Sequence, residues 1–438
     1  MTSAVPTSES PSIDKPPPSK AAVAKALGSA MIGNWFELFD FIIYGYFAAQ
    51  IGRAMFPAAD ALTSILSSFA TYGVGFVMRP VGSIVLGSLG DRLGRKVSLI
   101  ITMFLMAVST GVTGLIPSYA HIGYAAPIIL VICRLLQGFA AGGEWGGATT
   151  FIVEYAPPNR RGLFGALQQL STSLAVVSAV LTALLLNLIL PAASVDAWGW
   201  RIPFLLGFLV APVGFYLRAH VEDTPHYTAE GGDAPVRPLR EALRHHGAAV
   251  ATIFGSVIIW TVAGYTFGAF LVSFAIRILK VAPSIAYTGT LVGALANILV
   301  IPLAGFLSDK IGRKPFLMTS AGGFLILAYP LFAYMDHTRT GASVILTTAV
   351  AGVFSGLFSG VGPTFLCEQL PTRVRYTALS IGYNGAVMLF GGFAPFIATL
   401  LVQQTGSNIA PALYVMAAAL TSFIVIAFTP DRFRNPSL

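Results

Sequence analysis

Five ionisable side chains sit where the surrounding sequence is almost wholly apolar: Glu37, Asp40, Arg79, Arg134 and Glu144. Such a group costs about 2.5–3.5 kcal/mol in a membrane span on insertion scales, so it is expected to face a protein interior and to pair. Burial makes a carboxylate hold its proton more tightly, and a neighbouring arginine loosens it. A carboxylate that shares one arginine with an arriving anion can therefore exchange a proton with the solvent. The spacing supports such a site. At 100° per residue, Asn34, Glu37, Asp40, Phe41 and Tyr44 fall within an arc of about 120° on one helix. Arg134, Gln137, Ala141 and Glu144 form a stripe on another, with Gly138, Gly142 and Gly146 beside it to permit close helix approach. At 1.5 Å per residue, Glu37 lies about 20 Å in from one end of its segment and Arg134 about 15 Å in from the other, so both reach the same depth. The bland alternative is a fixed interhelical ion pair, and Glu144 reads equally well as a packing or gate residue.

The elements that must hold these groups follow from composition. The chain has 438 residues, 55% hydrophobic and only 10% Asp, Glu, Lys or Arg, against about 25% charged in a soluble domain. Its mean hydropathy is +0.76. So much apolar side chain has no place to hide in a soluble fold of this size, which argues against a soluble enzyme or a disordered scaffold. The net charge of +8 lies in short clusters between long apolar runs, so it points to no nucleic acid.

Twelve segments are long enough to span a membrane, which takes roughly 20 apolar residues. They fall near 24–51, 61–87, 97–117, 124–153, 163–190, 200–218, 248–279, 285–307, 315–335, 342–367, 376–403 and 410–428. The domain plan read from them is a disordered tail over 1–23, a six-helix bundle over 24–218, a central loop over 219–247, a second six-helix bundle over 248–428 and a short tail over 429–438. Placing the N-terminus inside puts nineteen of the 26 Lys and Arg on inner segments and five on outer ends. That asymmetry makes both termini and the central loop cytoplasmic.

The two halves repeat each other. Gly87-Ser-Leu-Gly-Asp91-Arg92-Leu-Gly94-Arg95-Lys96 recurs as Gly305-Phe-Leu-Ser-Asp309-Lys310-Ile-Gly312-Arg313-Lys314, and Gly138, Gly142, Gly146, Glu154, Pro157 and Arg161 align with Gly352, Gly356, Gly360, Glu368, Pro371 and Arg375. Paired halves in the same orientation are the plan of an alternating-access transporter with its site at the midplane between them. The fold class is therefore an all-α membrane protein, twelve transmembrane helices in two pseudo-symmetric six-helix bundles.

The repeated G-x-L-x-D-R/K-x-G-R-K pattern resembles the signature of the major facilitator superfamily. Three further stretches, 33–45, 134–147 and 368–376, resemble its metabolite–proton symporter branch, which includes carriers of citrate, 2-oxoglutarate, shikimate, aromatic acids, proline and betaine. The resemblance implies that the loop motifs hold a cytoplasmic gate shut in the outward-facing state. Gly87, Asp91, Arg92, Gly94, Arg95, Glu154 and Arg161 would form one latch, and Asp309, Gly312, Arg313, Glu368 and Arg375 the other. Arg79, next to Pro80, is assigned to this gate before the substrate site. The alternative is that these loop charges only set topology.

The second half lacks core charges: Thr348 and Phe358 stand where the repeat has Arg134 and Glu144. It offers Trp260, Tyr265, Asn297, Tyr383 and Asn384, read as shape and hydrogen bonding for a substrate or as ordinary packing. Cys133 and Cys367 read as small apolar packers, with no disulfide or metal site. No His lies deep in a span, so the proton carrier should be a carboxylate. Pro203, Pro302 and Pro395 are expected to kink helices. No G-x-x-x-x-G-K-[ST] sequence is present, so ATP does not power the chain. The reading is a proton-coupled symporter of a small organic anion, not an enzyme, with no cofactor or metal beyond the proton, monomeric, in a bacterial inner membrane. The alternatives are an osmolyte symporter for proline or betaine, a drug–proton antiporter, which Arg134 disfavours for cationic drugs, and a channel.

Overall fold

Where no water satisfies backbone polar groups, an apolar run must bond to itself, and the helix does this within one segment. The computed structural model describes residues 20–58, 61–93, 95–157, 159–208 and 243–433, and every regular element among them is helical. The first half comprises span 1 (Lys20–Tyr46), span 2 in two pieces (Ala61–Val77, Arg79–Leu93), span 3 (Arg95–Leu115), span 4 in two pieces (Ala125–Ala141, Glu144–Tyr155), span 5 (Arg161–Ile189) and the described part of span 6, 202–208. The second comprises span 7 (Gly247–Tyr265 and Leu271–Arg277), span 8 (Pro283–Ile311), span 9 (Lys314–Thr338), span 10 (Gly341–Glu368), span 11 (Thr372–Ala386 and Ala394–Thr405) and span 12 (Ala410–Phe428). Nine helices among the described residues are long and apolar enough to cross a membrane. Their outer faces carry apolar side chains that no protein covers, such as Leu188, Leu299 and Ile326, which suits a lipid surround.

Several expected boundaries shift. Span 1 starts at Lys20, inside the segment read as a tail, and ends at Tyr46; the apolar stretch beyond it forms a separate helix, Ala48–Met55. The central loop over 219–242 and residues 434–438 lie outside the described residues. Pro302 does lie inside a helix, but Pro395 starts one. The irregularity of span 11 is the π-helical turn Val387–Gly391 just before it, and span 7 carries a matching turn at Thr266–Phe270. Such turns interrupt the regular ladder and are frequent at functional sites.

The repeat acts through backbone contact. A Cβ on Gly138 would run into the carbonyl oxygen of Gly75, and one on Gly142 into that of Arg79, so span 4 lies directly on span 2. In the second half a Cβ on Gly352 would meet the carbonyl of Gly293, and one on Gly360 that of Ile301. Gly293 stands where the loop-motif offset places the partner of Gly75, so the repeated glycines close the same span 2–span 4 seam in each half as spans 8 and 10. These contacts fix the depth at which Arg79 and Arg134 enter the interior.

Candidate functional site

Span 1 supplies both acids. Asp40 and Arg134, whose side chains are 1% and 0% exposed, form an ion pair with Oδ2 3.2 Å from NH1. The guanidinium of Arg134 lies 4.2 Å from the ring centre of Tyr44, with Phe41 and Phe204 farther out, so cation–π contact adds support to the charge. Thr110 and Gln137 stand beside the Asp40 carboxyl, and Gln137 Nε2 donates to Thr110 Oγ1 at 3.0 Å. The pair is incompletely satisfied. Asp40 Oδ1 and Arg134 Nε and NH2 have no hydrogen-bond partner among the described residues, although a buried guanidinium is strongly favoured to fill its donors.

One turn earlier on span 1, Glu37 Oε1 accepts from Arg79 NH2 at 2.8 Å. The Arg79 guanidinium lies over Phe41 and Phe76 at 4.9 and 4.7 Å, with Tyr72, Tyr265 and Tyr383 around it. The expected place of Arg79 is the gate; its side chain meets Glu37 in the interior. Span 2 breaks at Met78, and the long Arg79 side chain turns into the interior toward Glu37 instead of toward the loop motif. The interior therefore holds two acid–arginine pairs stacked along span 1.

The other expected site residues divide. Tyr44 donates to the Ser68 carbonyl at 3.1 Å while presenting its ring to Arg134. Asn34 reaches across to span 5, donating to Ser171 Oγ and Thr172 Oγ1, both at 2.9 Å, and makes no bond to either arginine. The side chain of Glu144 lies outside the described residues. In the second half Tyr383 stacks at 3.6 Å on Trp145, a residue of span 4 that sequence reading passed over, and Trp260 stands edge-on to both. Trp260 also stacks on Phe358 and donates to Ser359. Tyr265 packs against Tyr72 and Phe76. Asn384 donates its amide to the Gly142 carbonyl at 3.0 Å, at the break in span 4, so its nitrogen is engaged between the halves. Asn297 accepts from Ser173 of span 5 at 2.8 Å.

The halves meet at both ends of this interior. At the end carrying the loop motif, Asp309 of span 8 accepts from the backbone N–H of Gly162 and Leu163 at 2.8 and 3.0 Å. The second half thus caps the N-terminus of span 5, where unpaired N–H groups and the helix dipole favour an anion. Arg313, itself buried, holds Asp309 at 2.8 Å and Glu368 at 3.1 Å. Gly312 sits at φ 103°, a turn conformation that L side chains rarely adopt, which brings Arg313 back under Asp309. Arg375 donates to the carbonyls of Cys367 and Leu370. The matching first-half residues Gly87, Asp91, Arg92, Gly94, Arg95 and Glu154 lie outside what is described of side chains, while Arg161 offers its backbone carbonyl to Thr364 at 3.0 Å. At the opposite end, Gly45 packs on Ala269, Gly73 on Phe393, and Tyr287 donates to the Tyr46 carbonyl at 3.3 Å.

Removing the cap is expected to loosen the motif end alone. Asp309→Ala should lengthen the distance between spin labels placed at the exposed positions Asn159 and Ile311, at a cost to the closed form of about 1–2 kcal/mol. An unchanged distance distribution would show that Asp309 is not a latch.

Comparisons place this architecture. A family model described as "Sugar (and other) transporter" matches residues 24–236, and one described as "Major Facilitator Superfamily" matches residues 261–437. A citrate-proton symporter of Klebsiella pneumoniae is 34% identical over 396 residues, 90% of this chain and 89% of its own. A putative proline/betaine transporter of Staphylococcus haemolyticus is 35% identical over 410 residues, 92% of this chain and 86% of its own. The xylose transporter XylE of E. coli, in a partially occluded inward-open conformation, superposes with a TM-score of 0.78 at 17% identity over 94% of this chain and 99% of its own, a likeness of fold alone. The loop motif, the duplicated glycine seams and these relatives agree: the chain belongs to the major facilitator superfamily and is a multi-pass membrane transporter, not an enzyme.

Proposed function

We propose that this protein is a proton-coupled symporter that takes up a small organic acid across a bacterial inner membrane, as a monomer, with both termini and the loop-motif end facing the cytoplasm. The observation that carries the reading is the enclosed Asp40–Arg134 pair, with Arg134 Nε and Nη2 and Asp40 Oδ1 left without hydrogen bonds among the described residues. Arg134 keeps two donors for a substrate carboxylate, and a guanidinium binds a carboxylate best through two parallel bonds. When the substrate takes Arg134, Asp40 loses its counter-charge in a dry interior and takes up a proton. Loaded carrier then carries one neutralised acid and one neutralised arginine, the form least opposed to reorientation. Arg79 and Glu37 keep a second, preformed pair one turn away along span 1 and offer a further cation to an acid with more than one carboxylate. The Trp145–Tyr383–Trp260 cluster, built from both halves, lies on the Arg79 side of this interior.

That same cluster supports a second reading. Faces of Trp and Tyr attract quaternary ammonium groups, and Tyr383 stands near Arg79, so the second reading is a betaine with its cationic end among these rings and its carboxylate on Arg79. Purified protein in liposomes separates the two. An inward-directed proton gradient is expected to drive uptake of labelled citrate or another organic acid, and excess betaine to leave it unaffected. Proton-driven uptake of labelled betaine that excess organic acids leave unaffected would select the osmolyte, and uptake indifferent to the proton gradient would remove the coupling.

A further inference from the structure

A cavity lies away from the Glu37–Arg79 and Asp40–Arg134 pairs, at the end opposite the loop motif, with a volume of about 150 Å³. Both halves build it: Tyr46, Asn187 and Asp196 from the first, Ser273, Arg277 and Tyr287 from the second. Its charges are unequal. Asp196 is already paired with Arg53. Arg277, in the last turn of span 7, takes part in no ion pair or hydrogen bond among the described residues. Two hydroxyls on lining residues, Tyr46 Oη and Ser273 Oγ, are buried and have no hydrogen-bond partner among the described residues. The lining residues therefore carry one uncompensated cation and two unused hydroxyls, groups that complement a carboxylate. A cavity of about 150 Å³ is large enough for a molecule the size of benzene and well below the 300–1,000 Å³ of drug-sized sites, so the ligand is small.

We infer that this cavity is a separate binding site for a small carboxylate, with Arg277 as its cation and Tyr46 and Ser273 as hydroxyl donors. In the orientation proposed above it faces the outside, so an anion held there stands on the approach to Arg134. Because its walls come from both halves, it changes shape when they rock apart, and its occupant is passed inward or released. The inference rests on the organic-acid reading for the identity of its ligand, and the following experiment separates the two.

Binding of succinate, benzoate and citrate to the purified full-length protein is measured by calorimetry, in wild type, Arg134→Gln, Arg277→Gln and the double variant. Arg134→Gln should retain a weak site for at least one of the three. Adding Arg277→Gln should weaken that site at least tenfold, while Arg277→Lys, which keeps the charge, preserves most of it. Tyr46→Phe, which removes only the hydroxyl, should weaken it several-fold with an unchanged melting profile. Residual binding that is the same with and without Arg277 would overturn the site, as would complete loss of binding in Arg134→Gln with Arg277 intact; in the second case the organic-acid reading stands. If wild type binds none of the three acids, both readings fall.

Discussion

Asp40→Asn is expected to lower proton-driven substrate accumulation by about 100-fold or more, equivalent to some 2.7 kcal/mol, while substrate exchange across the membrane continues. Asparagine matches aspartate in shape and stands permanently in the neutral state that the proposed cycle reaches only when substrate is bound. The carrier can then still reorient loaded, but it has no proton to give back. The single variant also leaves Arg134 buried without its acid, and breaking such a pair costs about 3–5 kcal/mol. Substrate restores the missing negative charge, so its stabilising effect on the melting temperature should be larger in Asp40→Asn than in wild type. Uptake under a pH gradient, counterflow with equal pH on both sides and ligand-dependent melting are the three measurements. Normal accumulation in Asp40→Asn would remove Asp40 from coupling.

Arg134→Gln should fail differently. It removes the charge that holds Asp40 and the donors offered to the substrate, so binding at the central site is expected to fall by about 100-fold or more, within the 2–5 kcal/mol typical of truncating a buried, hydrogen-bonded charge pair. Counterflow should be lost along with accumulation, which distinguishes it from Asp40→Asn. Arg134→Lys keeps the charge but not the planar fork and should recover only part of the affinity. Because the two residues touch, their stability costs should not add: Asp40→Asn with Arg134→Gln is expected to be more stable than the sum of the singles, yet inactive. Additive melting shifts, or central-site affinity retained in Arg134→Gln, would show that the pair is only structural.

Much of this site is legible in the sequence because helical geometry and charge cost act locally. The arc holding Glu37 and Asp40, the stripe holding Arg134, and the equal depth of both follow from 1.5 Å per residue, and the structure joins Asp40 to Arg134. The Gly138–Gly142 run signals close packing, and its contact is the span 2 backbone. What the sequence hides is direction. Arg79 sits a few residues from the loop motif, and proximity along the chain suggests the gate. Only the break at Met78 and the reach of a long side chain reveal Glu37 as its partner. Trp145 stacks on Tyr383 across 238 positions of chain, and nothing local distinguishes it from a packing residue, although its place beside Glu144 in the glycine-rich stretch is a usable signal. Asn34 shares the arc of the acids but faces span 5, because an arc of about 120° on a helix serves more than one neighbour. Asp309 stands out in the sequence as an acid in a basic loop, but the group it meets, the N-terminus of span 5, lies 147 positions away and carries no local signal of the contact.

The central claim is that an anion on Arg134 drives a proton onto Asp40, and proton counting on binding tests it most directly. Purified protein in weakly buffered detergent is mixed with saturating substrate and followed with a pH-indicator dye near neutral pH. The account predicts uptake of about one proton per protein by wild type, and none by Asp40→Asn although it binds the same ligand. Substrate binding with no proton uptake by wild type, or equal uptake by Asp40→Asn, would contradict it.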